Sequence, residues 1–492
     1  MSPARPSRGP HSTHRREPAH PPGRRGPRPD PDRWSDPARR AAYEALAAVH
    51  RDDAFANIVL PRLLREHRMG GRDAALATEL TYGTLRSLGQ LDAILATVAR
   101  RPVERIDPPA RDALRLGAYQ LLHTRIPAHA AVATTVDLVR AVAPSAAGFA
   151  NAVLRRIAEQ DLAGWLTQVA PALSADPVAH LALVHSHPEW MVRAFAESLA
   201  LDLATESGRV DLAEALAANN ERPLVHLCAR PGRLTAAELA DQVGGLVGAY
   251  SPYAVYLPEG APGDLPALVR GEAHVQDEGS QLVALALAAA DPAGPDRRWL
   301  DLCAGPGGKA ALLGALAAQR GARLTAVEVA AHRADLVVAA VAGLPVEVVH
   351  ADGREVGRHP ALPEGGFDRV LVDAPCTGLG SLRRRPESRW RRQPGDLPAL
   401  TKLQRELLAA ALRAVRPGGV VGYVTCSPHL VETRVTVAET PRRAANPPAE
   451  PVDARPLLPE GLADLGPGPA IQLWPHRHGT DAMFLALLRR VD

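Results

Sequence analysis

Cysteine is scarce in this chain: Cys228, Cys303, Cys376 and Cys426 are the four in 492 residues, and none forms a CxxC pair. That excludes a disulfide framework and offers no zinc-site spacing. Aromatic residues make up only 4%, although 46% hydrophobic content suffices for packed cores. No uncharged apolar run reaches about 18 residues, so no membrane span is expected. The arginine-bearing N-terminus lacks the apolar stretch of a secretory signal, and a reducing cytoplasm is the expected location. The Gly-rich turn at residues 301–309 does not carry the dinucleotide fingerprint GxGxxG, which disfavours a dehydrogenase.

Charge is unevenly spread. Residues 1–33 hold eight arginines against Glu17, Asp30 and Asp32, a balance of +5 in a chain of net +3, so the rest carries about −2. Any nucleic-acid surface in the folded part must therefore be local. Residues 1–36 are Arg, Pro, Gly and His with almost nothing apolar, and are expected to be a disordered basic tail. Such a tail either attracts nucleic acid in a salt-sensitive way or simply solubilises the chain.

From residue 37 onward apolar residues recur at three- and four-residue spacing, which predicts helices over 39–49, 58–66, 73–86, 88–98, 109–122, 130–141 and 148–159. Breaks at Gly70-Gly71, Pro108-Pro109 and Pro127 separate them. The expected unit is an all-α bundle at 37–165, with Arg111, Arg115, Arg155 and Arg156 on a solvated face. Helices continue through a linker at 166–220, including 188–199 and 211–219. Residues 221–280 change period: extended stretches at 224–228 and 250–257 flank a helical 235–243, a small α/β subdomain with Cys228 in its core. From 281 to 492, strands at 324–329, 346–350, 367–372 and 419–425 alternate with helices at 332–341 and 401–415. That pattern predicts a parallel, doubly wound, Rossmann-like sheet. The Pro-rich stretch 440–468 reads as loop, and 472–474 with 482–487 as an antiparallel pair at the sheet edge.

The chemistry gathers in that last region. Residues 301–309, DLCAGPGGK, lie between a strand end and the apolar helix 310–318. Glycines there let the backbone approach a ligand, and the helix start offers unpaired N–H groups. Ligands of open parallel sheets lie beyond the carboxyl ends of the strands. Glu328, Asp352 and Asp373 follow three consecutive strands. Each alone reads as a helix N-cap; together they favour a nucleoside cofactor, with Glu328 toward ribose. Without the pyrophosphate fingerprint, S-adenosylmethionine suits the turn. Cys376, within Pro-Cys-Thr-Gly, and Cys426, within Thr-Cys-Ser-Pro, end adjacent strands. A lone buried cysteine is usually inert, but a thiolate beside a methyl donor suits covalent catalysis at cytosine. Addition to carbon 6 makes carbon 5 nucleophilic, with Asp373 placed to hydrogen-bond ring nitrogen 3. Spacing does not rank the two cysteines. Residues 383–392 hold six arginines and Trp390, a basic patch with a stacking surface expected to contact RNA.

These motifs carry a resemblance. Residues 301–309, VDAPCTGLGSLRRRPESRW at 372–390, YVTCSP at 423–428 and PHRHGTDAMFLALL at 475–488 resemble the RsmB/Sun branch of the NOL/NOP/Sun RNA 5-methylcytosine methyltransferases. Asn57, ELTYG at 79–83, RLGAYQL at 115–121, IPAH at 126–129 and FANAVLRR at 149–156 resemble the NusB-like RNA-binding fold. The resemblance implies an S-adenosylmethionine-dependent enzyme acting on 16S rRNA, with an RRM-like small subdomain at 221–280. It implies a cofactor pocket of Cys303, Ala304, Gly305, Pro306, Gly307, Gly308, Lys309, Glu328, Asp352 and Asp373. It makes Cys426 the nucleophile and Cys376 the residue that assists product release. Glu328 stands where the family usually has aspartate, and 428–433 lacks the usual Glu-Glu-Asn-like run. A tRNA methyltransferase and a non-catalytic RNA-binding assembly factor are the alternatives. A monomer is expected.

Overall fold

Proline and acidic caps set the start of the N-terminal bundle. In the computed structural model, which describes residues 36–258, 262–443 and 446–492, Pro37 opens the helix Pro37–Arg51 and the Asp36 carboxylate accepts from the Arg39 N–H at 3.0 Å. Helices Ala56–Glu66, Gly71–Arg86, Leu88–Ala99, Pro108–His123, Ala128–Val142 and Ala147–Ile157 follow. Pro108–His123 is central, burying Leu114, Leu116 and Ala118 among Leu46, Leu80, Ile94 and Leu154. All seven expected helices form, with ends shifted by a residue or two. Arg115 departs from expectation. It is buried, its guanidinium 2.7 Å from Asp92 and 3.1 Å from Asp112, because it faces the neighbouring helix rather than solvent. Arg155 and Arg156 are exposed. The expected tail falls almost wholly outside the described residues.

Four further helices follow: Leu162–Val169, which packs on the bundle through Trp165, then Pro177–Val184, Glu189–Ser198 and Glu206–Ala218. The last begins five residues before its expected start, because the Thr205 hydroxyl caps it by accepting from the Gly208 N–H at 3.1 Å.

The small subdomain runs β1 (Val225–Ala229), helix Ala236–Val243, β2 (Leu246–Val247), β3 (Ala254–Leu257), helix Pro266–Val269 and β4 (Ala273–Val275). Its antiparallel order β2-β3-β1-β4 is the RRM-like arrangement. One sheet face packs on its own two helices through Leu227, Leu239, Val255 and Ala267. The other is covered by the next region: Cys228 joins that region's core, and Tyr256 donates its hydroxyl hydrogen to the buried Glu278.

The C-terminal sheet contains β5 (Arg298–Asp301), β6 (Arg323–Glu328), β7 (Val346–His350), β8 (Phe367–Asp373), β9 (Val415–Thr425), β10 (Ala449–Val452), β11 (Ile471–Gln472) and β12 (Phe484–Arg490). The order is β10-β12-β9-β8-β5-β6-β7, with β11 paired to β12. Strands β5 to β9 are parallel; β10, β11 and β12 run antiparallel to their neighbours. The chain winds out from β5 in one direction to β7 and in the other through β8. The crevice at that reversal is where an open sheet binds ligand. The expectation of loop throughout 440–468 is corrected by β10, which survives Pro451 because it lies at the sheet edge, where a missing N–H costs no ladder bond.

The loop 383–392 is a second correction. Most of its arginines join the parts of the molecule, while Arg385 stays exposed. Arg389 is fully buried, its guanidinium donating to Arg86 O at 3.0 Å, Ser186 O at 3.3 Å, Asn219 O at 2.6 Å and Asn220 Oδ1 at 2.6 Å. Burial, and then the charge of Arg86, push this guanidinium down to about 9, since only neutral oxygens surround it. Arg391 donates to Val49 O at 2.8 Å and Ala54 O at 2.5 Å, and the Glu387 carboxylate accepts from the Ala56 N–H at 3.1 Å. The Trp390 ring lies where a Cβ on Gly89 would meet it at 2.7 Å. Arg383 and Arg384 bridge Asp277 and Asp481.

Replacing the guanidinium leaves these buried acceptors bare. Arg389→Ala is expected to cost about 3 kcal/mol of stability, read as a lower urea midpoint. An unchanged midpoint would remove the clasp from this account.

Candidate active site

The Gly-rich loop leaves β5 at Asp301 and enters helix Gly308–Gln319, whose start has no side-chain cap. Its conformation needs glycine at two places. A Cβ on Gly305 would lie 2.2 Å from Glu328 Oε2, and Gly307 has φ +113° against the side chain of Ala340. The buried Glu328 carboxylate, at the end of β6, accepts from the N–H of Gly305 at 3.1 Å and of Ala330 at 2.9 Å. Arg333 closes the group, donating to Gly305 O at 2.6 Å and standing 3.5 Å from Glu328. The small subdomain braces the far side: His274 Nε2 is 3.1 Å from Gly308 O, and Arg230 donates to Ala340 O and Ala342 O.

At the end of β8, Asp373 accepts from the Lys309 ammonium at 2.8 Å, joining loop to strand. Burial works against that ammonium, but the charge and hydrogen bond of Asp373, with the charges of Cys426 and Asp301, together outweigh it and raise Lys309 above its ordinary range. Asp301 is fully buried and its Oδ2 has no hydrogen-bond partner. Burial first, then the charge of Asp373, raise it to about 7. Asp352 is differently placed. Its carboxylate is held by Arg354, whose guanidinium lies 2.6 Å away and also reaches Glu406 at 2.7 Å.

The two strand-end cysteines meet. Cys376 Sγ and Cys426 Sγ are 3.4 Å apart, both partly exposed, after β8 and β9. Their environments differ. The hydrogen bond from Cys376, with the Lys309 ammonium assisting, lowers Cys426; the same bond and burial raise Cys376. Burial and the charges of Asp301, Asp373 and Glu328 hold the Cys303 thiol well up, which suits loop packing and not nucleophilic attack. Among the described residues no His, Cys, Asp and Glu cluster could hold a metal ion, and no helix is long and apolar enough to cross a membrane.

Thus Cys303–Lys309, Glu328, Asp373, Cys376 and Cys426 converge on one crevice, with Asp352 at its side behind Arg354. The donor set fits a small nucleoside with an amino-acid tail: loop N–H groups for a carboxylate, the orphaned Asp301 oxygen for an ammonium, and a buried acid at the end of β6 for ribose hydroxyls. Sequence reasoning missed Asp301 and Arg333. Asp301 opens the quoted motif, but burial and the missing partner are invisible in a string of letters.

Comparison with known proteins now decides the family. Residues 287–489 match the model described as 16S rRNA methyltransferase RsmB/F, and residues 36–159 match the NusB family. A Mycobacterium tuberculosis protein named only as a methyltransferase is 58% identical, over 96% of this chain and 99% of its own. The chain belongs to the RsmB/F family of 16S rRNA methyltransferases. The ribosomal RNA small subunit methyltransferase B of Sodalis glossinidius is 35% identical, over 81% of this chain and 88% of its own. Among solved structures, PH0851 superposes with a TM-score of 0.75 at 22% identity, covering 92% of this chain and 99% of that one. NSun6 from Pyrococcus horikoshii, solved with SFG, gives 0.50 at 17% identity over 61% of this chain and 98% of its own. The RsmB/F membership makes this an RNA methyltransferase, with an N-terminal NusB-like bundle and a C-terminal Rossmann-like domain.

Asp301 yields a pH prediction. A carboxyl near 4 when unfolded and about 7 when folded lends stability below pH 4 that is lost as pH rises through 7. In the cofactor-free protein, the Tm advantage of Asp301→Asn over the parent should widen from pH 4 to pH 8. A constant difference would contradict the burial assigned to this group.

Proposed function

We propose that this RsmB/F-family protein transfers a methyl group from S-adenosylmethionine to carbon 5 of a cytosine in 16S rRNA, through a covalent adduct with Cys426. The observation that carries the reading is the pair of thiols 3.4 Å apart beside the Lys309–Asp373 ion pair. The Lys309 ammonium acts on the Cys426 side of the pair and favours its thiolate. The thiolate adds to carbon 6 and the carbon 5–carbon 6 bond supplies the electrons that take the methyl group. Loss of the carbon-5 proton to water then returns its electron pair to the ring, expels the Cys426 thiolate and restores the carbon 5–carbon 6 double bond. Cys376, held as a thiol, is the proton donor beside that leaving sulfur. The Lys309–Asp373 pair offers a donor to ring nitrogen 3 and an acceptor to the exocyclic amine.

The cofactor supplies the methyl group, and Cys303–Lys309, Glu328, Asp352 and Asp373 are the residues proposed to hold it. For Asp352 this requires Arg354 to share or release its carboxylate. The proposed division of labour gives 37–165 to RNA binding, 166–220 to linkage, 221–280 to bracing the cofactor loop and 281–492 to catalysis. A cytoplasmic monomer is the expected working form, and a tRNA cytosine remains the alternative substrate.

RNA containing 5-fluorocytosine blocks the final proton loss and traps the adduct. The parent and Cys376→Ala should accumulate it, and Cys426→Ala should form none. An adduct surviving in Cys426→Ala exchanges the two roles. Bisulfite sequencing of rRNA and tRNA from a deletion strain identifies the substrate, with loss of a single 16S rRNA signal expected.

A further inference from the structure

The two cysteine turns are tied together by a residue that lies outside both. Glu432 is completely buried, six residues beyond Cys426 and at the end of the short turn Leu430–Glu432. One carboxylate oxygen accepts from the Thr377 N–H at 2.8 Å and from the Gln404 side-chain amide at 3.0 Å. The other accepts from the hydroxyls of Thr377 and Ser427, the latter at 2.6 Å. Thr377 follows Cys376, and Ser427 follows Cys426. The two hydroxyls are 3.1 Å from each other, and Gln404 also donates to Pro375 O at 2.9 Å. The Tyr423 hydroxyl secures the backbone by donating to Glu432 O at 2.7 Å. A buried carboxylate is costly unless its lone pairs are filled, and four donors fill them here. Each donor belongs to a cysteine turn or to helix Leu397–Ala414 behind them.

We propose that Glu432 is a positioning residue that fixes the register of the two cysteine turns, so that the Cys376 thiol points its hydrogen at the Cys426 sulfur. This rests on the catalytic roles proposed above. The charges around the sulfurs act both ways. Glu432 lies on the side of Cys376 and adds to the hydrogen bond and burial that raise it, while Lys309 lies on the side of Cys426 and lowers it. Asp373 and Asp481 also face Cys426 and oppose Lys309, and Tyr423 faces Cys376. The strand pairing of β8 with β9 ends at Asp373 and Val424 before either cysteine; beyond it the Gly380 N–H donates to Cys426 O at 2.9 Å and the Thr377 and Ser427 hydroxyls meet, and the shared carboxylate is the one side chain that holds both of those hydroxyls.

The full-length protein is the test object, with Glu432→Ala and Glu432→Gln compared with the parent. Displacement of a reacting group by about 1 Å costs on the order of 100-fold. Glu432→Ala is therefore expected to slow adduct formation with 5-fluorocytosine RNA by that factor, with S-adenosylmethionine affinity by calorimetry within about twofold. Glu432→Gln keeps an acceptor for Thr377 and Gln404 and should recover part of the rate. Iodoacetamide labelling at pH 7, mapped by mass spectrometry, should mark Cys426 first in the parent and lose that preference in Glu432→Ala. If Glu432→Ala does not fold, Glu432→Gln decides by the same labelling and rate. A parent that forms no adduct through Cys426 defeats the catalytic reading itself. A parental adduct with an unchanged rate and labelling order in the variants defeats only the role of Glu432.

Discussion

The guanidinium of Arg389 is the tie on which the arrangement of the whole molecule depends. It lies in a loop that begins beside Cys376, yet its partners are carbonyls from the N-terminal bundle, the connecting helices and the end of helix Glu206–Ala218. Burying a charge among neutral oxygens is tolerable only because every bond has a rigid backbone or amide acceptor. The loop is therefore tied to the bundle and to the connecting helices, which sets all of them in one arrangement with the cysteine turns.

The same economy governs the strand ends that carry the cysteines. Glu328 ties the Gly-rich loop to β6, Lys309 ties it to β8 through Asp373, and Glu432 ties the turn after β8 to the turn after β9. Each is a buried ionic group whose partners come from a different strand end. Removing one exposes partners that have no water to replace it, so these sites are linked in stiffness as well as in chemistry. The small RRM-like sheet adds to this by turning its open face inward, against Glu278 and the start of the cofactor helix.

Periodicity and turn chemistry made much of this legible. Pro, Gly and acidic caps marked the bundle helices to within a residue or two, and alternation of strand and helix predicted the parallel sheet whose strand ends carry Glu328, Asp352 and Asp373. The cysteines were visible as strand-end residues, and the structure adds that they touch. The structural part played by the arginine loop was not legible: composition reports charge, and a run of six arginines looks the same whether water or buried carbonyls surround it. Arg115 was misjudged likewise, since Asp92 and Asp112 become its partners only when two helices pack.

The sequence by itself determined the elements, their order and the chemical inventory, because caps, periods and motif spacings act over a few residues. Tertiary structure alone decided the electrostatics. It buried Asp301 without a partner, gave Arg389 four neutral acceptors, and brought Thr377, Gln404 and Ser427 to one carboxylate. Desolvation and charge pairing depend on neighbours tens to hundreds of residues away along the chain, and those neighbours exist only after the chain has folded.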